Sequence, residues 1–473
     1  MALTYDVAVL GGGIGGYTAA IRAAQLGKKV AIIEQDMLGG TCLHRGCIPS
    51  KTFLRSAEVF ATFKESEQFG IQAENISVQF DKIQQRKVGI VNQLHRGVIY
   101  LMQKNKIDVI QGKGRVIGPS IFSPKSGAVA VELQDGEMET VVPTQLIIAT
   151  GSRPRTLPGI EIDGQYAMTS DEALNMTELP KSMIIVGGGV IGAEWASLLS
   201  DFGVEVTIIE MAAHLLPTEE QELGAELQRL LKKRGVRVLT QASLNPDSYR
   251  VEHGQVHMEV TNKGKTETIQ ADKLLISIGR EANVNGIGLE NTDIKVERGV
   301  IVVNESMQTT EPHIFAVGDV IGGLQLAHAA GHEGIIAAER IAGLDIEPMQ
   351  AHLVPRCIYT RPEVASVGFT EKQALEQGRN IKTAKVSFKA IGKALVYGDN
   401  NGFVKVIADQ DTNDILGVHM IGPHVTDQIS EAVLAQILDA TPWEVGQAIH
   451  PHPTLSEIMG EAMLAIDGKA IGI

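Results

Sequence analysis

The sequence predicts an α/β fold: two parallel-sheet units wound with helices, followed by a smaller α+β unit. Three observations carry this. A segment reading apolar strand, glycine-rich turn, helix, second strand and terminal Glu occurs near the start and again 176 residues later. In each copy the first glycine and the Glu lie 23 residues apart, at Gly11 to Glu34 and at Gly187 to Glu210. Strands alternating with helical stretches are the mark of parallel sheets. From about Glu347 the pattern changes to short alternating strands and two helices.

Composition bounds what such a chain does. Its 473 residues suit roughly three domains. Hydrophobic residues at 44% and charged residues at 21% fit a soluble globular protein with ample core. A formal net charge of -14 argues against binding nucleic acid or an anionic membrane. No apolar run reaches the length of about 18 residues that spans a bilayer. Residues 1 to 10 carry Asp6 and lack a basic start, so they read as a strand rather than a signal peptide. Three cysteines are too few for a disulfide scaffold, which points to a redox-active pair in a reducing compartment. The cytoplasm is the expected location, and no metal site is assigned.

In the first unit, Tyr5 to Leu10 is a strand that runs into Gly11-Gly12-Gly13-Ile14-Gly15-Gly16. Tyr17 to Leu26 follows as a helix ended by Gly27, and Lys29 to Ile33 as a strand ending on Glu34. This is the dinucleotide fingerprint of Rossmann-like folds. Gly11 makes the tight turn, Gly13 lets a pyrophosphate approach the backbone, and Gly16 lets helix and strand pack closely. The helix N-terminus offers free N–H groups and a positive dipole end to the phosphates. Glu34, 18 residues after Gly16, suits a ribose hydroxyl pair.

Next comes Gly39-Gly40-Thr41-Cys42-Leu43-His44-Arg45-Gly46-Cys47-Ile48-Pro49-Ser50-Lys51, which holds two of the three cysteines. Positions five apart in a regular helix are separated by roughly 7.5 Å along its axis, whereas a disulfide wants Cα atoms within about 6.8 Å. If the two sulfurs are bonded, at least one cysteine must leave regular helix, and Gly39, Gly40 and Gly46 permit that. Such a disulfide is of the labile, catalytic kind.

Thr52 to Glu65 and Val78 to Asn105 read as helices, and Ile107 to Ser152 as strands with turns at Gly118-Pro119, Ser126-Gly127 and Gln134-Asp135-Gly136. The last strand, Gln145 to Ala149, ends in Thr150-Gly151-Ser152. Those small residues admit two readings, close approach to a cofactor or a tight turn at a domain exit.

The second fingerprint has its strand at Ser182 to Val186 and its loop at Gly187-Gly188-Gly189-Val190-Ile191-Gly192. Its helix is Ala193 to Phe202, capped by Gly203, and Glu205 to Ile209 is the strand that ends on Glu210. Glu210 would repel a 2′-phosphate, and no Arg occurs between it and Arg229, so this site favours NAD(H) over NADP(H). Asp272 to Ser277 is a strand leading into Ile278-Gly279-Arg280, where the unit ends. Two nucleotide sites and one cysteine pair suggest a relay. A nicotinamide delivers two electrons, a disulfide accepts two, and a flavin mediates.

Ile314 to Asp319 is a strand ending in Gly-Asp, and Gln325-Leu326-Ala327-His328 enters an Ala- and Gly-rich helix. On chemistry alone Asp319 is equally a turn residue and Ala327-His328 a helix start. Val364 to Phe369, Ala384 to Phe388, Gly402 to Ala408 and Ile415 to Ile421 read as an antiparallel sheet, with helices at Asp427 to Leu438 and Thr454 to Ile466. In His450-Pro451-His452-Pro453-Thr454-Leu455-Ser456-Glu457, Thr454 and Glu457 are spaced as a capping box, which makes the histidines loop residues. Equally, His452 with Glu457 has the form of a His–carboxylate acid/base pair.

Over essentially its whole length the chain resembles the pyridine nucleotide–disulfide oxidoreductases, and within them the members that oxidise dihydrolipoamide. The segment Gly39 to Lys51 matches the family's Gly-Gly-Thr-Cys-x4-Cys-Ile-Pro-Ser-Lys form, and His452, Pro453, Thr454, Ser456 and Glu457 match its C-terminal motif. The resemblance implies FAD held by Gly11, Gly13, Gly16, Glu34, Lys51, Thr150, Gly151, Ser152, Asp319, Ala327 and His328. It implies NAD held by Gly187, Gly189, Gly192, Glu194, Glu210 and Gly279, with Lys51 paired to Glu194 beside the flavin. Cys42, Cys47, His452 and Glu457 are then catalytic, Cys42 facing substrate and Cys47 the flavin. Residues 1–152 form an FAD-binding domain, 153–280 an NAD-binding domain, 281–349 a segment returning to the FAD domain, and 350–473 a dimer-interface domain. The implied partners are a second copy of the chain, whose His452 serves the opposite cysteines, and a lipoyl-bearing protein of a 2-oxoacid dehydrogenase complex or a glycine-cleavage system.

Two alternatives remain, a related NAD(P)H-dependent disulfide reductase and a flavoprotein redox sensor or scaffold. Glutathione-type reductases need arginines after the second fingerprint, and a mercuric reductase an extra C-terminal cysteine pair; this chain has neither. Where family members often carry Asn-Val between the cysteines, this chain has His44-Arg45, and Arg45 either lowers a thiol pKa or faces solvent. Cys357 reads as a buried small side chain.

Overall fold

The computed structural model describes residues 3–119 and 125–472. They fall into two compact units, one made of Met1–Ser50, Gln84–Pro154 and Arg280–Met349 and the other of Lys51–Ile83, Arg155–Gly279 and Gln350–Ile473.

The first unit is built on a sheet whose parallel strands run in the order Asp108–Ile117, Val30–Glu34, Leu3–Leu10, Met138–Ile148, Ile314–Ala316. The strand Ala128–Leu133 lies antiparallel to both Asp108–Ile117 and Met138–Ile148. Val30–Glu34 is buried along its whole length, as expected of a parallel strand covered on both faces. The helix Ile14–Gln25 packs against Ala327–Ile341 through small residues, and a Cβ on Gly334 would meet the Gly15 carbonyl at 2.5 Å. Both glycine loops thus sit at carboxyl ends of parallel strands, where ligands bind in open α/β sheets.

In the second unit a parallel sheet has the order Arg237–Thr240, Glu205–Glu210, Ser182–Val186, Lys273–Ile276, Ala167–Met168. An antiparallel sheet follows in the order Arg356–Ile358, Glu363–Gly368, Ile415–Gly422, Phe403–Asp409, Ile381–Ser387. The helices Val425–Ile437 and Glu457–Ala465 cover it. Phe53, on the helix Cys47–Lys64, is fully buried against Trp195, edge to face with ring centroids 6.3 Å apart.

Two differences from the sequence reading stand out. The helix Gln221–Lys233 and the antiparallel strands Ala242–Glu252, Gln255–Asn262 and Lys265–Ala271 occupy a stretch left unassigned. Pro246 and the exposed polar positions blur the period-2 signal in Ala242–Glu252 and Lys265–Ala271, while Gln255–Asn262 alternates with Val256, Met258 and Val260 buried. The helix expected over Val78 to Asn105 begins at Phe80. The turn at Gln134-Asp135-Gly136 closes on Gly136, φ +85°, while the stretch between Pro119 and Lys125 lies outside the described residues. No helix among the described residues is long and apolar enough to cross a membrane.

Candidate active site

The cysteine segment is fastened to the first glycine loop. Gly39 N–H donates to the Gly12 carbonyl at 2.8 Å, and a Cβ on Gly40 would lie 2.6 Å from Gly13 Cα. Only glycine brings backbone that close. Cys42 sits in the helix Gly40–Arg45, Gly46 breaks it with φ −147° and ψ −111°, and Cys47 opens the helix Cys47–Lys64. That break brings the two Cα atoms to 4.7 Å, and Cys42 and Cys47 are joined as a disulfide. The expected departure from regular helix thus falls between the cysteines. The Leu38 carbonyl, just ahead of the glycine pair, lies 2.9 Å from His44 Nε2 and 2.9 Å from His95 Nδ1. Arg45 pairs with Asp36 with both side chains about half exposed, which selects the solvent-facing reading.

Both loops have the form a dinucleotide needs. A Cβ on Gly16 would run into the Gly11 carbonyl, and one on Gly192 into the Gly187 carbonyl, so helix and strand could not close. Gly13 and Gly189 are extended N-caps without side-chain cap bonds, and the space beside them is open enough that a Cβ meets nothing nearer than 4.0 Å. The N–H groups of each first turn are therefore left to a ligand. The Glu34 carboxylate accepts from Gly12 N–H at 2.6 Å and Asp36 N–H at 2.8 Å; that of Glu210 accepts from Gly188 N–H at 2.6 Å and Ala212 N–H at 2.7 Å. Each holds its own loop and keeps lone pairs for ribose hydroxyls. The residues fit FAD and NAD.

Thr150, Gly151 and Ser152 form an exit turn whose partners come from far along the chain. Thr150 Oγ1 donates to the Asn283 carbonyl at 2.9 Å, Asn283 Nδ2 returns a bond to the Thr150 carbonyl at 2.9 Å, and Asn283 N–H reaches the Gly151 carbonyl at 2.9 Å. Ser152–Pro154 pairs antiparallel with Arg280–Ala282. Ser152 Oγ donates to Asp319, and Arg280 Nε donates to Ser152 Oγ at 2.7 Å. Gly318 N–H donates to Glu333 at 2.7 Å, and burial, with Asp319 nearby, pushes the Glu333 carboxyl above its usual range. Arg280, Asn283 and Glu333 were not singled out by sequence, because nothing local marks them. Ala327 and His328 form the first positions of the Ala327–Ile341 helix, its positive dipole end. Gly279, φ +109°, has open space around it, and its carbonyl accepts from Arg155 N–H at 3.0 Å.

Lys51, four residues after Cys47 in the same helix, places Nζ 2.9 and 2.8 Å from the two oxygens of buried Glu194. Tyr359 completes this pair. Its N–H donates to Glu194 at 3.0 Å, and its ring centroid lies 4.7 Å from Lys51 Nζ, a cation–π distance. Burial pushes the Tyr359 hydroxyl up to about 12.

The capping-box reading of Thr454 and Glu457 is corrected. The helix starts at Glu457, behind Ser456, and Thr454 Oγ1 donates to the Pro451 carbonyl at 2.7 Å rather than capping. The Glu457 carboxylate instead takes Thr454 N–H at 2.9 Å on one oxygen and His452 Nδ1 at 2.8 Å on the other. That His452 bond holds the Glu457 carboxyl below its usual range. With Nδ1–H given to the carboxylate, Nε2 carries the basic lone pair, on a side chain 79% exposed. Cys357 is partly buried, 3.8 Å from the Thr426 carbonyl, and burial pushes its thiol up to about 11, which keeps it protonated and inert.

These features agree with what the chain is similar to. Residues 5–334 match the model described as pyridine nucleotide-disulphide oxidoreductase, and residues 354–463 match that family's dimerisation domain. The chain is 61% identical to the dihydrolipoyl dehydrogenase of Bacillus subtilis over 472 residues, covering 100% of both chains. It is 42% identical to that of Zymomonas mobilis, again over 100% of both. Among solved structures, LpdA from Mycobacterium tuberculosis superposes with a TM-score of 0.90 at 26% identity, over 98% of this chain and 100% of that one. The HOCl-induced flavoprotein disulfide reductase RclA from Escherichia coli, solved as its Cu(II) complex, superposes at 0.86 with 28% identity, over 98% and 99%. A fastened disulfide, two dinucleotide loops and a family match over most of its length place the chain in the pyridine nucleotide–disulphide oxidoreductase family.

Proposed function

We propose that the chain oxidises protein-bound dihydrolipoamide to lipoamide and reduces NAD+ to NADH. The observation that carries this is the Cys42–Cys47 disulfide fastened to the first dinucleotide loop by the Gly39–Gly12 bond. FAD and NAD+, when bound, supply the two-electron chemistry that returns the dithiol to a disulfide.

The chain's own residues handle protons and sulfur. His452 Nε2 takes the proton of one substrate thiol, since only the thiolate is nucleophilic, and the resulting imidazolium is stabilised by Glu457. The thiolate attacks Cys42 Sγ; the Cys42–Cys47 bond breaks and Cys47 leaves as thiolate. The second substrate thiol, once deprotonated, attacks the substrate sulfur of the mixed disulfide. Lipoamide departs and Cys42 takes a proton, so one disulfide has been exchanged for another and both cysteines are reduced. Lys51, held by Glu194 and Tyr359, places a fixed ammonium one helical turn from Cys47.

The wider assignment follows the same reading. Residues 1–152 with 281–349 bind FAD, 153–280 bind NAD, and 350–473 form the interface of a homodimer. The match to a dimerisation domain and the exposure of His452 support a base that serves the partner's cysteines. The separate lipoyl-bearing partner belongs to a 2-oxoacid dehydrogenase complex or a glycine-cleavage system, in the cytoplasm. Turnover of dihydrolipoamide with NAD+ tests the proposal. A flavin-containing protein that takes up NADH yet never interconverts lipoamide would overturn it.

A further inference from the structure

The His452–Glu457 pair has a second His–Glu pair beside it. His450 Nε2 lies 2.8 Å from Glu431 Oε1, and its side chain is 12% exposed against 79% for His452. Glu431 projects from the helix Val425–Ile437, so this bond ties the loop carrying both histidines to a helix remote in sequence. On the opposite side the His450 ring rests on Gly460 of the helix Glu457–Ala465. A Cβ there would lie 2.9 Å from Nδ1 and 3.1 Å from Cε1, so the helix has a notch where the ring sits. Gly460 is three residues after Glu457, on the same helical face. One imidazole therefore touches both the helix that carries Glu457 and the helix that carries Glu431.

We propose that His450 is a positioning residue for the acid/base pair. Clamped by Glu431 and seated on Gly460, it fixes the strap Pro451–Thr454 so that His452 Nδ1 meets the Glu457 carboxylate. The inference rests on the proposed proton-accepting role of His452.

The electrostatics point the same way. The hydrogen bond to Glu431 raises the His450 pKa against the opposing effect of burial, with further support from a backbone bond to Ala448 and from Glu457. The charged groups around the ring are thus Glu431 from one helix and Glu457 from the other, while Glu444 of the intervening helix is engaged by its own N-cap Thr441. After the His452 bond itself, His450 also acts on Glu457 in the direction that holds this carboxyl below its usual range.

The test compares His450→Gln, Glu431→Gln, the double variant and His452→Gln in the full-length flavin-containing protein, with flavin content matched to the parent. The kcat and the KM for dihydrolipoamide are measured for each. The expected result is a kcat lowered on the order of tenfold by His450→Gln, with KM for dihydrolipoamide little changed. Glu431→Gln should lower kcat in the same way, and the double variant no further than His450→Gln alone. If His452→Gln abolishes turnover while His450→Gln and Glu431→Gln leave kcat unmoved, the positioning role is overturned and the base assignment stands. If His452→Gln itself leaves turnover intact, the base assignment falls and this inference falls with it. Should His450→Gln fail to retain flavin, Glu431→Gln alone decides, since it keeps the side-chain volume and a hydrogen bond to the ring.

Discussion

The two dinucleotide loops are the same cradle closed in different ways. In each, a carboxylate 23 residues after the first glycine holds the second, at 2.6 Å for both Glu34–Gly12 and Glu210–Gly188. In each, a leucine presses on that glycine, Leu38 in one and Leu215 in the other. The next residue, Gly39 or Leu216, adopts positive φ and donates its N–H to the loop carbonyl, at 2.8 Å for Gly39 and 2.9 Å for Leu216. Beyond that point the copies part. In the first, Gly40 lies against Gly13 and the chain enters the Cys42 helix; in the second, nothing lies within 4 Å of a Cβ on Gly189. A loop covered by the cysteine segment suits a cofactor that stays and serves the sulfurs. A loop left open suits a nucleotide that enters and leaves.

The largest way to break the comparison is to fill the packing glycine of each loop. Gly16→Val should yield protein without flavin, whereas Gly192→Val should keep its flavin and lose reduction by NADH; absorbance spectra before and after NADH read both. Loss of flavin in both variants would mean the loops are not separate sites. A smaller effect is expected from Glu210→Ala, which removes the acceptor of two loop N–H groups and the proposed acceptor of the ribose. KM for NAD+ should rise on the order of 10- to 100-fold, by the value of hydrogen bonds to a charged group, with the flavin spectrum unchanged. The smallest contrast lies at the closure. Gly40→Ala crowds Gly13 and should destabilise by about 1–3 kcal/mol, seen as a lower melting temperature and weaker flavin retention. Gly189→Ala enters open space and should leave melting unchanged.

Much of this was legible because close backbone approach leaves a mark in sequence. Gly11 and Gly16, their copies Gly187 and Gly192, and the pair Gly39-Gly40 ahead of Cys42 are positions where a side chain would collide, and the spacing to Glu34 and Glu210 is set by one strand–helix–strand crossover. The cysteine spacing likewise carried its own requirement for a helix break, which Gly46 supplies. What was not legible depends on partners far away. Asn283 and Arg280 hold Thr150 and Ser152 from more than a hundred residues on, and Tyr359 completes Lys51–Glu194 through its backbone and ring face. Thr454 and Glu457 misled in another way, since Thr-x-x-Glu spacing fits a capping box until His452 claims the carboxylate. Of the antiparallel strands in 242–271, Gln255–Asn262 does alternate, with Val256, Met258 and Val260 buried, whereas its neighbours Ala242–Glu252 and Lys265–Ala271 are mostly polar and exposed and are recognised by their pairing with it.

The central claim is that the covered loop and the open loop feed one pair of sulfurs. It is tested most directly by adding NADH without oxygen and counting alkylatable thiols in the parent. The account predicts two new thiols per chain, mapped to Cys42 and Cys47, while Cys357 stays as before; with Cys47→Ser the flavin should remain bound and dihydrolipoamide oxidation should disappear. A flavin reduced by NADH with the Cys42–Cys47 bond left intact, or turnover that survives in Cys47→Ser, would contradict it.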